Sequence, residues 1–464
     1  TTVIASRQQY EGKIIMSNQA WLSRSFNAVW HPCTQMKRHE ALPIIPIARA
    51  DGIWLTDFDG KRYLDGVSSW WVNLFGHNQP RIKAAIKAQL DELEHVILAG
   101  FTHRSVVELS ERLAALTELG HAFYGSDGAS ATEIALKMSF HYWKNLGQPE
   151  KCRFISLENS YHGETVGALA VTDVPLFSNT YAPLVKPGIR VPTPDARLAE
   201  NGESAADVAR RAARSLENVL AKQGSQIAAV IVEPLVQGAA GMAMYDASYL
   251  TELRRLCDQY QVHLIADEIA MGFGRTGTLF ACEQAGIRPD FLCLSKGITG
   301  GYLPLSCVLT TDTVYRAFYD DDVTRGFLHS HSYTGNALAC RAALEVLAIF
   351  EDEQVIAVNQ EKAASFERYL APIRARADVR HFRHLGMIWA FDVVSARSDF
   401  ATAFFAAMVK RGALLRPIGK TVYFMPPYCI SETEMAWLCT ATQEALDELN
   451  QANSRFATEN QPLP

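Results

Sequence analysis

The sequence predicts an α/β fold, with a large domain on a doubly wound, mostly parallel sheet and a smaller α+β domain formed by both ends of the chain. From about residue 120 to residue 310, short apolar runs typical of buried strands alternate with amphipathic helical segments. A hairpin pattern precedes this region, and mixed strand and helix patterns follow it. We therefore expect residues 1–75 and 346–464 to form the small domain and residues 76–345 to form the large one.

Composition places the chain among ordinary globular proteins. Of its 464 residues, 48% are hydrophobic and 20% are charged, and the net charge of −6 gives no basic field for binding nucleic acid or a membrane surface. The apolar runs are too short to span a bilayer, and we expect a cytoplasmic protein. The nine cysteines show no C-x-x-C spacing and the thirteen histidines no H-E-x-x-H pattern, so we expect neither disulfides nor a metal site.

The amino-terminal region is expected to form a small antiparallel sheet. Residues 53–64 form a strand-like pattern on both sides of Asp59-Gly60, a strong signal for a hairpin turn. The next segment, S-S-W-W-V-N at residues 68–73, is expected to be extended. Because neighbouring side chains of an extended backbone point in opposite directions, only one of Trp70 and Trp71 should face a given pocket.

The remaining elements follow from apolar periodicity. Helices are predicted at residues 79–98, 106–116, 134–143, 204–221, 248–260 and 337–350, and strands at residues 122–125, 153–157, 227–232, 263–266, 291–294 and 305–310. In the carboxyl-terminal module, predicted strands at residues 386–394 and 420–425 flank a helix at residues 400–411.

A phosphate-binding turn is predicted after residues 122–125. Gly128 and Ala129 lie at a helix amino terminus, where free backbone N–H groups and the helix dipole attract an anion. Ser130 and Glu133 also have the S-x-x-E spacing of a capping box, which requires no ligand. The two interpretations are compatible, so this motif alone does not establish an anion site.

Two charged residues follow neighbouring predicted strands in the centre of the large domain. Asp267 comes after residues 263–266, and Lys296 comes just after residues 291–294. An acid and a lysine at the same sheet edge suit pyridoxal phosphate, because the lysine can form a Schiff base while the acid keeps the ring nitrogen protonated. A structural ion pair is the alternative. Tyr161 follows another predicted strand, and its ring can stack on a planar cofactor or serve packing alone.

The same region contains a G-x-G-x-x-G motif at residues 272–277, with Asp290 near the spacing of a ribose-binding acid. In a dinucleotide-binding fold, however, the glycines follow the strand directly and open a helix. Here Asp267 and Glu268 intervene, and no helical period begins at Gly277. We therefore do not expect a dinucleotide site.

Together, these motifs resemble those of the class III aminotransferases, which are fold type I pyridoxal phosphate enzymes. The resemblance extends from Trp30 to about Tyr428. The blocks that carry it are W-H-P-C-T-Q-M, S-S-W-W-V-N, S-Y-H-G-E-T, V-E-P-L-V-Q-G-A-A-G-M, L-I-A-D-E-I-A-M-G-F-G-R-T-G, L-S-K-G-I-T-G-G and R-P-I-G-K-T-V-Y-F-M-P-P-Y.

The resemblance implies roles for individual residues. The catalytic set would be the Schiff-base lysine and proton carrier Lys296, the ring-nitrogen partner Asp267 and the stacking residue Tyr161. The cofactor would also contact Gly128, Ala129, His162 and, from the second subunit of a homodimer with the active site at its interface, Ser332. The substrate pocket would be lined by Trp70, Trp71, Cys33, Arg416 and Tyr423.

The first, second and last blocks imply a particular transamination. S-adenosylmethionine would donate the amino group and 8-amino-7-oxononanoate would accept it, giving 7,8-diaminononanoate in biotin biosynthesis. Two departures concern pocket shape and donor choice, because Cys33 replaces a tyrosine of relatives and Ser330-His331 replaces a glycine-proline pair. The alternatives are an ornithine, 4-aminobutyrate or other ω-amino acid aminotransferase, the same acceptor with a donor such as lysine, and a non-catalytic pyridoxal phosphate sensor. The complete set of catalytic groups argues against the sensor.

Overall fold

The computed structural model describes residues 17–42 and 44–459, with side chains as far as residue 451. The described strands are β1 Ile47–Asp51, β2 Trp54–Asp57, β3 Arg62–Asp65, β4 His121–Gly125, β5 Arg153–Leu157, β6 Ile189–Val191, β7 Ile227–Val232, β8 Val236–Gln237, β9 Ala243–Met244, β10 His263–Asp267, β11 Phe291–Leu294, β12 Ser306–Thr310, β13 Val379–Leu385, β14 Ile388–Val393, β15 Ala413–Leu414 and β16 Thr421–Phe424. Residues 1–16 and 460–464, which the sequence assigns to the small domain, lie outside the described residues.

Each predicted helix overlaps a described one, but the first ends at Glu92 rather than at residue 98, and the two longest described helices, Val355–Arg374 and Glu432–Glu459, were not predicted. All described helices follow in chain order. They are α1 Asn18–Ala28, α2 Ser68–Trp71, α3 Pro80–Glu92, α4 Arg104–Thr117, α5 Gly128–Asn145, α6 Val166–Leu169, α7 Pro175–Ser178, α8 Ala205–Gln223, α9 Ser248–Gln259, α10 Asp312–Arg316, α11 Ala337–Asp352, α12 Val355–Arg374, α13 Phe400–Arg411 and α14 Glu432–Glu459. None of the described helices is long and apolar enough to cross a membrane.

Seven strands form the large sheet, in the order β4-β12-β11-β10-β7-β5-β6. Neighbours from β11 to β6 are parallel, whereas β12 is antiparallel to both β11 and β4. All six residues of β7 are buried, because helices cover both faces of the sheet. The predicted doubly wound, mostly parallel sheet is confirmed, although the sequence analysis did not find β6.

Both ends of the chain contribute to the small sheets. One sheet has the order β1-β2-β3-β15, in which the predicted β2–β3 hairpin is antiparallel and β15 joins β3 in parallel by pairing Ala413 with Leu64. The other has the order β13-β14-β16. The α+β module formed by both ends is thus confirmed, while the boundaries at residues 75 and 345 stay predictions.

Gly386 connects the turn between β13 and β14 to the glycine-rich segment at residues 272–277. Its φ is +57°, and a Cβ placed there would clash with backbone atoms of Arg275, Thr276 and Gly277. The adjacent Met387 N–H donates to the Arg275 carbonyl at 2.9 Å. This close backbone contact attaches the β13-β14-β16 sheet to the loop that follows β10.

We predict that Gly386→Ala lowers the melting temperature more than the matched variant Gly419→Ala. Gly419 also has a positive φ, +60°, but no atom lies within 4 Å of a Cβ placed there. Its substitution should therefore cost only the left-handed strain, about 1–2 kcal/mol, whereas Gly386→Ala adds a clash worth about 1–3 kcal/mol more. Thermal unfolding of both variants measures the difference, and equal shifts would contradict it.

Candidate active site

A cavity of about 920 Å³ lies at the carboxyl ends of β4, β5, β7, β10 and β11. This is the edge at which parallel α/β sheets bind their ligands. Its wall contains every predicted site residue except Ser332, namely Cys33, Trp70, Trp71, Gly128, Ala129, Tyr161, His162, Asp267, Lys296, Arg416 and Tyr423. Within this chain Ser332 lies elsewhere, where its carbonyl accepts a hydrogen bond from His95 Nε2 at 2.8 Å.

Asp267 ends β10 and is almost completely buried. One carboxylate oxygen, Oδ2, lies 2.7 Å from Nδ1 of His162, and Oδ1 accepts the N–H of Ile269 at 3.1 Å. A carboxylate oxygen has two lone pairs, so these contacts leave Asp267 able to accept from a group in the cavity. The side chain of His162 is also fully buried, and its Nε2 has no partner among the described residues.

Lys296 follows β11 and lies beside Trp71. Its Nζ is 4.5 Å from the centroid of the indole ring. Desolvation lowers the pKa of Lys296 to about 8, although the nearby charges of Asp267 and Glu233 act in the opposite direction. The neutral fraction of this amine near physiological pH is therefore much larger than that of an ordinary lysine, and the neutral amine is the form needed for accepting a proton or attacking an aldehyde.

Glu233 is a buried acid in this wall that the sequence analysis did not assign to the site. It directly follows β7, and its carboxylate accepts the backbone N–H groups of Tyr161 and Gly238, both at 3.0 Å. Burial raises the pKa of Glu233 to about 7, with the charge of Asp267 adding to the shift and His162 opposing it. A signal was present, because the apolar run of β7 leads directly into an acid, as the apolar run of β10 does.

Tyr161, whose backbone N–H binds Glu233, has two further contacts among the residues that line the cavity. Its hydroxyl donates to Glu164 at 2.9 Å, and its ring packs edge-on against Phe177 with centroids 5.6 Å apart. Desolvation and the bond to Glu164 raise the pKa of the hydroxyl, so Tyr161 remains neutral across the physiological range. The ring position is thus fixed at its backbone, at its hydroxyl and along one edge.

The amino terminus of α5, where the sequence predicts an anion site, opens onto the cavity. Its cap is Asp127, whose carboxylate accepts the N–H of Ser130 at 2.9 Å. The capping-box interpretation is wrong, because Glu133 instead accepts the Thr165 hydroxyl and the backbone N–H groups of Gly167 and Ala168 at the start of α6. No described acceptor takes the N–H groups of Gly128 and Ala129, and both residues line the cavity.

Both tryptophans lie on a left-handed turn rather than on an extended segment. The four residues of α2, Ser68 to Trp71, have φ values of 52°, 47°, 68° and 73°. The turn is closed by hydrogen bonds from Trp71 N–H to the Val67 carbonyl and from Val72 N–H to the Ser68 carbonyl. The expectation that only one indole would face the pocket is therefore wrong. Because this conformation costs about 1–2 kcal/mol per non-glycine residue, surrounding contacts must stabilise it.

The turn places each indole against a different group. Trp71 is buried, and its Nε1 donates to the Tyr423 hydroxyl at 3.1 Å. Trp70 is 48% exposed, and the guanidinium of Arg416 lies 5.2 Å from its ring centroid. No carboxylate in the described part of the chain pairs with Arg416, which argues against a surface ion pair. Cys33 is exposed at the same mouth of the cavity.

The dinucleotide interpretation of residues 272–277 is not supported by their geometry. This segment forms consecutive turns, and no helix begins at Gly277. The Oδ2 of Asp290 accepts the N–H of Leu264 at 2.7 Å and the guanidinium of Arg254 at 2.9 Å, so this one oxygen links β10 to α9. Gly272 and Gly277 instead lie close to other backbone segments, because a Cβ would lie 2.9 Å from the Glu268 carbonyl oxygen at the first and 3.4 Å from the Gly386 Cα at the second.

Comparison with known proteins agrees with this geometry. The family Aminotransferase class-III matches residues 35–446. A protein from Helicobacter pylori named adenosylmethionine-8-amino-7-oxononanoate aminotransferase is 47% identical over 91% of this chain and 96% of its own length. The crystal structure of an enzyme of that name from Methanocaldococcus jannaschii has a TM-score of 0.87 at 35% identity, covering 93% of this chain and 99% of that one.

A second solved structure contains the cofactor. It is an amine transaminase from an uncultivated Pseudomonas species in its PLP-bound form, with a TM-score of 0.86 at 33% identity over 91% of this chain and 99% of that one. The present cavity fits this group. An anion site at α5, a buried carboxylate at Asp267 and an amine of lowered pKa at Lys296 surround one space, and each matches one part of pyridoxal phosphate.

The pKa of Lys296 predicts how reaction with an aldehyde depends on pH. Only the neutral amine attacks, and its fraction rises with pH until the pH exceeds the pKa. Trapping of Lys296 in cofactor-free protein by pyridoxal phosphate and borohydride should therefore accelerate up to about pH 8 and then level off. An ordinary lysine would continue to accelerate toward about pH 10.4.

The trapped site is identified by mass spectrometry of the peptide that contains Lys296. The variant Lys296→Ala provides the control, because it removes the amine and should leave this peptide unlabelled. A rate that still rises above pH 9.5, or labelling mainly at another lysine, would contradict the assignment.

Proposed function

Because this chain belongs to the class III aminotransferases, a family of pyridoxal phosphate enzymes, we propose that it transfers an amino group from S-adenosylmethionine to 8-amino-7-oxononanoate. The product would be 7,8-diaminononanoate, an intermediate of biotin biosynthesis. The observation that carries the proposal is Arg416, an arginine without a carboxylate partner in the described chain, located beside Trp70 in the cavity. In a keto acid with a long alkyl chain, the carboxylate could bind Arg416 and the alkyl chain could pack on Trp70.

Arg416 is suited to the carboxylate of the acceptor. A guanidinium can donate two parallel hydrogen bonds to a carboxylate, which fixes the orientation of the bound acid. The exposed face of Trp70 and the hydroxyl of Tyr423 adjoin this position, so an alkyl chain could pack on the indole while its carboxylate binds Arg416. The reacting end of the acceptor would then point toward Lys296.

The chain's own residues would perform the proton transfers. When bound, pyridoxal phosphate supplies an electron-accepting ring and carries the amino group between the two half-reactions. Lys296 would take a proton from the substrate carbon and return it at the cofactor side, because its lowered pKa makes the neutral amine more accessible than in an ordinary lysine. Asp267 would bind the ring nitrogen, and His162 would orient its carboxylate through the contact between Nδ1 and Oδ2. Gly128 and Ala129 would bind the phosphate.

We also propose that the active enzyme is a homodimer in which Ser332 of one subunit completes the phosphate site of the other. In one chain the Ser332 side chain is exposed and remote from the cavity. Its neighbours Leu328 and Tyr333 are 78% and 65% exposed, which is unusual for large apolar side chains and supports coverage by a second copy.

An amine or ω-amino acid transaminase is the second candidate. The Pseudomonas amine transaminase is nearly as similar in structure as the Methanocaldococcus enzyme, with TM-scores of 0.86 and 0.87. Cofactor residues do not separate the two activities, since both reactions use the same proton transfers. The substrate end of the cavity, near Cys33 and Arg416, has to separate them.

The function is tested by supplying 8-amino-7-oxononanoate with different amino donors and detecting 7,8-diaminononanoate by mass spectrometry. We expect S-adenosylmethionine to give at least a tenfold higher kcat/KM than lysine, ornithine or 4-aminobutyrate. Product formation with lysine but not with S-adenosylmethionine would show a different donor. No diamine with any donor, together with amine transfer to pyruvate, would establish the second candidate instead.

We predict that Arg416→Ala impairs the acceptor half-reaction much more than the donor half-reaction. Losing a hydrogen bond to a charged group costs about 1.5–3 kcal/mol, which corresponds to roughly one to two powers of ten in kcat/KM for the keto acid. Single-turnover absorbance measurements separate the two half-reactions. Arg397→Ala is a useful control, because that arginine pairs with Asp399 on the surface outside the cavity. Equal losses in both half-reactions would contradict the assigned role.

A further inference from the structure

The strained left-handed turn of α2 requires stabilising hydrogen bonds, and the carboxylate of Asp65 accepts two of them. Asp65 is the last residue of β3 and is 1% exposed. Its Oδ1 accepts the backbone N–H of Ser69 at 2.9 Å, and its Oδ2 accepts the Ser69 hydroxyl at 2.7 Å. One carboxylate therefore accepts both the backbone N–H and the hydroxyl of the residue directly before Trp70.

His77 binds the same carboxylate and orients it. The Gly76 N–H donates to Asn73 Oδ1 at 2.7 Å, which turns the amide nitrogen of Asn73 toward His77 Nδ1 at 3.2 Å. Nδ1 must then be the acceptor and Nε2 must carry the proton, which points to Asp65 Oδ2 at 3.1 Å. Asn73 follows the turn and Asp65 precedes it, so this chain of hydrogen bonds fixes both ends of α2.

The same strand end also positions Arg416. Asp65 is paired with Leu414 in the parallel register of β3 and β15, and Arg416 lies two residues beyond Leu414. Trp70 and Arg416 contact each other, and each follows the end of one of these two paired strands. A rotation of the turn at Ser69 would change the distance between the indole and the guanidinium.

We propose that Asp65 is a positioning residue that sets acceptor specificity by fixing the left-handed turn, and thereby Trp70, against Arg416. Asp65 does not line the cavity, so it would not contact a substrate bound there. It acts through Ser69, whose two donors only a carboxylate can bind while also accepting from His77. The identity of the acceptor rests on the proposed function, whereas the control of Trp70 by Asp65 does not.

Asp65→Asn is the decisive variant. An amide has one acceptor oxygen instead of two, so one of the bonds from Ser69 or His77 is replaced by a contact between two donors. We expect kcat/KM for 8-amino-7-oxononanoate to fall at least tenfold, mainly through KM, with the donor half-reaction changing less than threefold. Ser69→Ala removes only the hydroxyl bond and should give a smaller loss in the same direction.

Asp57→Asn is the matched control. Asp57 ends β2, is 3% exposed and accepts four hydrogen bonds, from Asn18, Tyr63, Lys61 and Asp59, but none reaches α2. Its substitution should lower the melting temperature about as much as Asp65→Asn while leaving acceptor KM within twofold. An equal rise in acceptor KM in both variants would overturn the proposal, because it would show a general loss of stability.

A measurement without substrate separates this proposal from the proposed function. Acrylamide quenching of tryptophan fluorescence is measured with and without Trp70→Phe, so that the difference isolates Trp70. Asp65→Asn should change this difference at least 1.5-fold, and Asp57→Asn should not. An unchanged Trp70 signal in folded Asp65→Asn protein would overturn the positioning role even if the enzyme uses 8-amino-7-oxononanoate. A changed signal supports it whichever acceptor is used.

Discussion

Burial of ionisable groups at one edge of the large sheet is the constraint on which the rest of the site depends. The parallel strands β7, β10 and β11 lead into Glu233, Asp267 and Lys296 at that edge. Desolvation disfavours charge, so the pKa of Glu233 rises to about 7 while the pKa of Lys296 falls to about 8. Groups whose pKa values lie near neutrality can give and take protons with small changes in free energy, as acid–base catalysis requires.

Buried polar contacts also explain why the substrate end of the cavity has an unusual backbone. The fully buried guanidinium of Arg275 donates to the carbonyls of Asn73 and Pro426 at 2.9 and 3.0 Å, and it lies over the ring of Tyr428. Gly301 allows the backbone at Asn73 to approach, because a Cβ there would lie 3.0 Å from it. These contacts come from distant parts of the chain and together compensate for the left-handed strain of α2.

Local sequence patterns predicted which residues at the strand ends of the large sheet line the cavity, but they did not predict the backbone at its tryptophan-bearing end. Asp267 and Lys296 were identifiable because each follows a short apolar run, and Gly128 because a strand pattern and a helical pattern flank it. The conformation of Trp70 and Trp71 could not be predicted in this way, because it depends on contacts with Asp65 and Arg275 rather than on local propensity. The predicted capping box is absent for a local reason. Asp127 accepts the N–H of Ser130, and Glu133 instead accepts the N–H of Gly167 at the start of α6. Strand β13 escaped notice because its exposed, charged residues and its bulge obscure the alternation.

The parallel pairing of β3 with β15 joins two segments that are distant in the sequence and are therefore synthesised at different times. Lys61, next to β3, binds the carbonyl of Val409, 348 residues later in the chain. All strands of the large sheet are complete by Thr310, about a hundred residues before β15 emerges. Domains fold as units during synthesis, and contacts of high sequence separation form late because closing a long loop is slow. In a nascent chain, the sheet edge that would bind pyridoxal phosphate can therefore form before the part of the cavity wall near Arg416, which would bind the substrate.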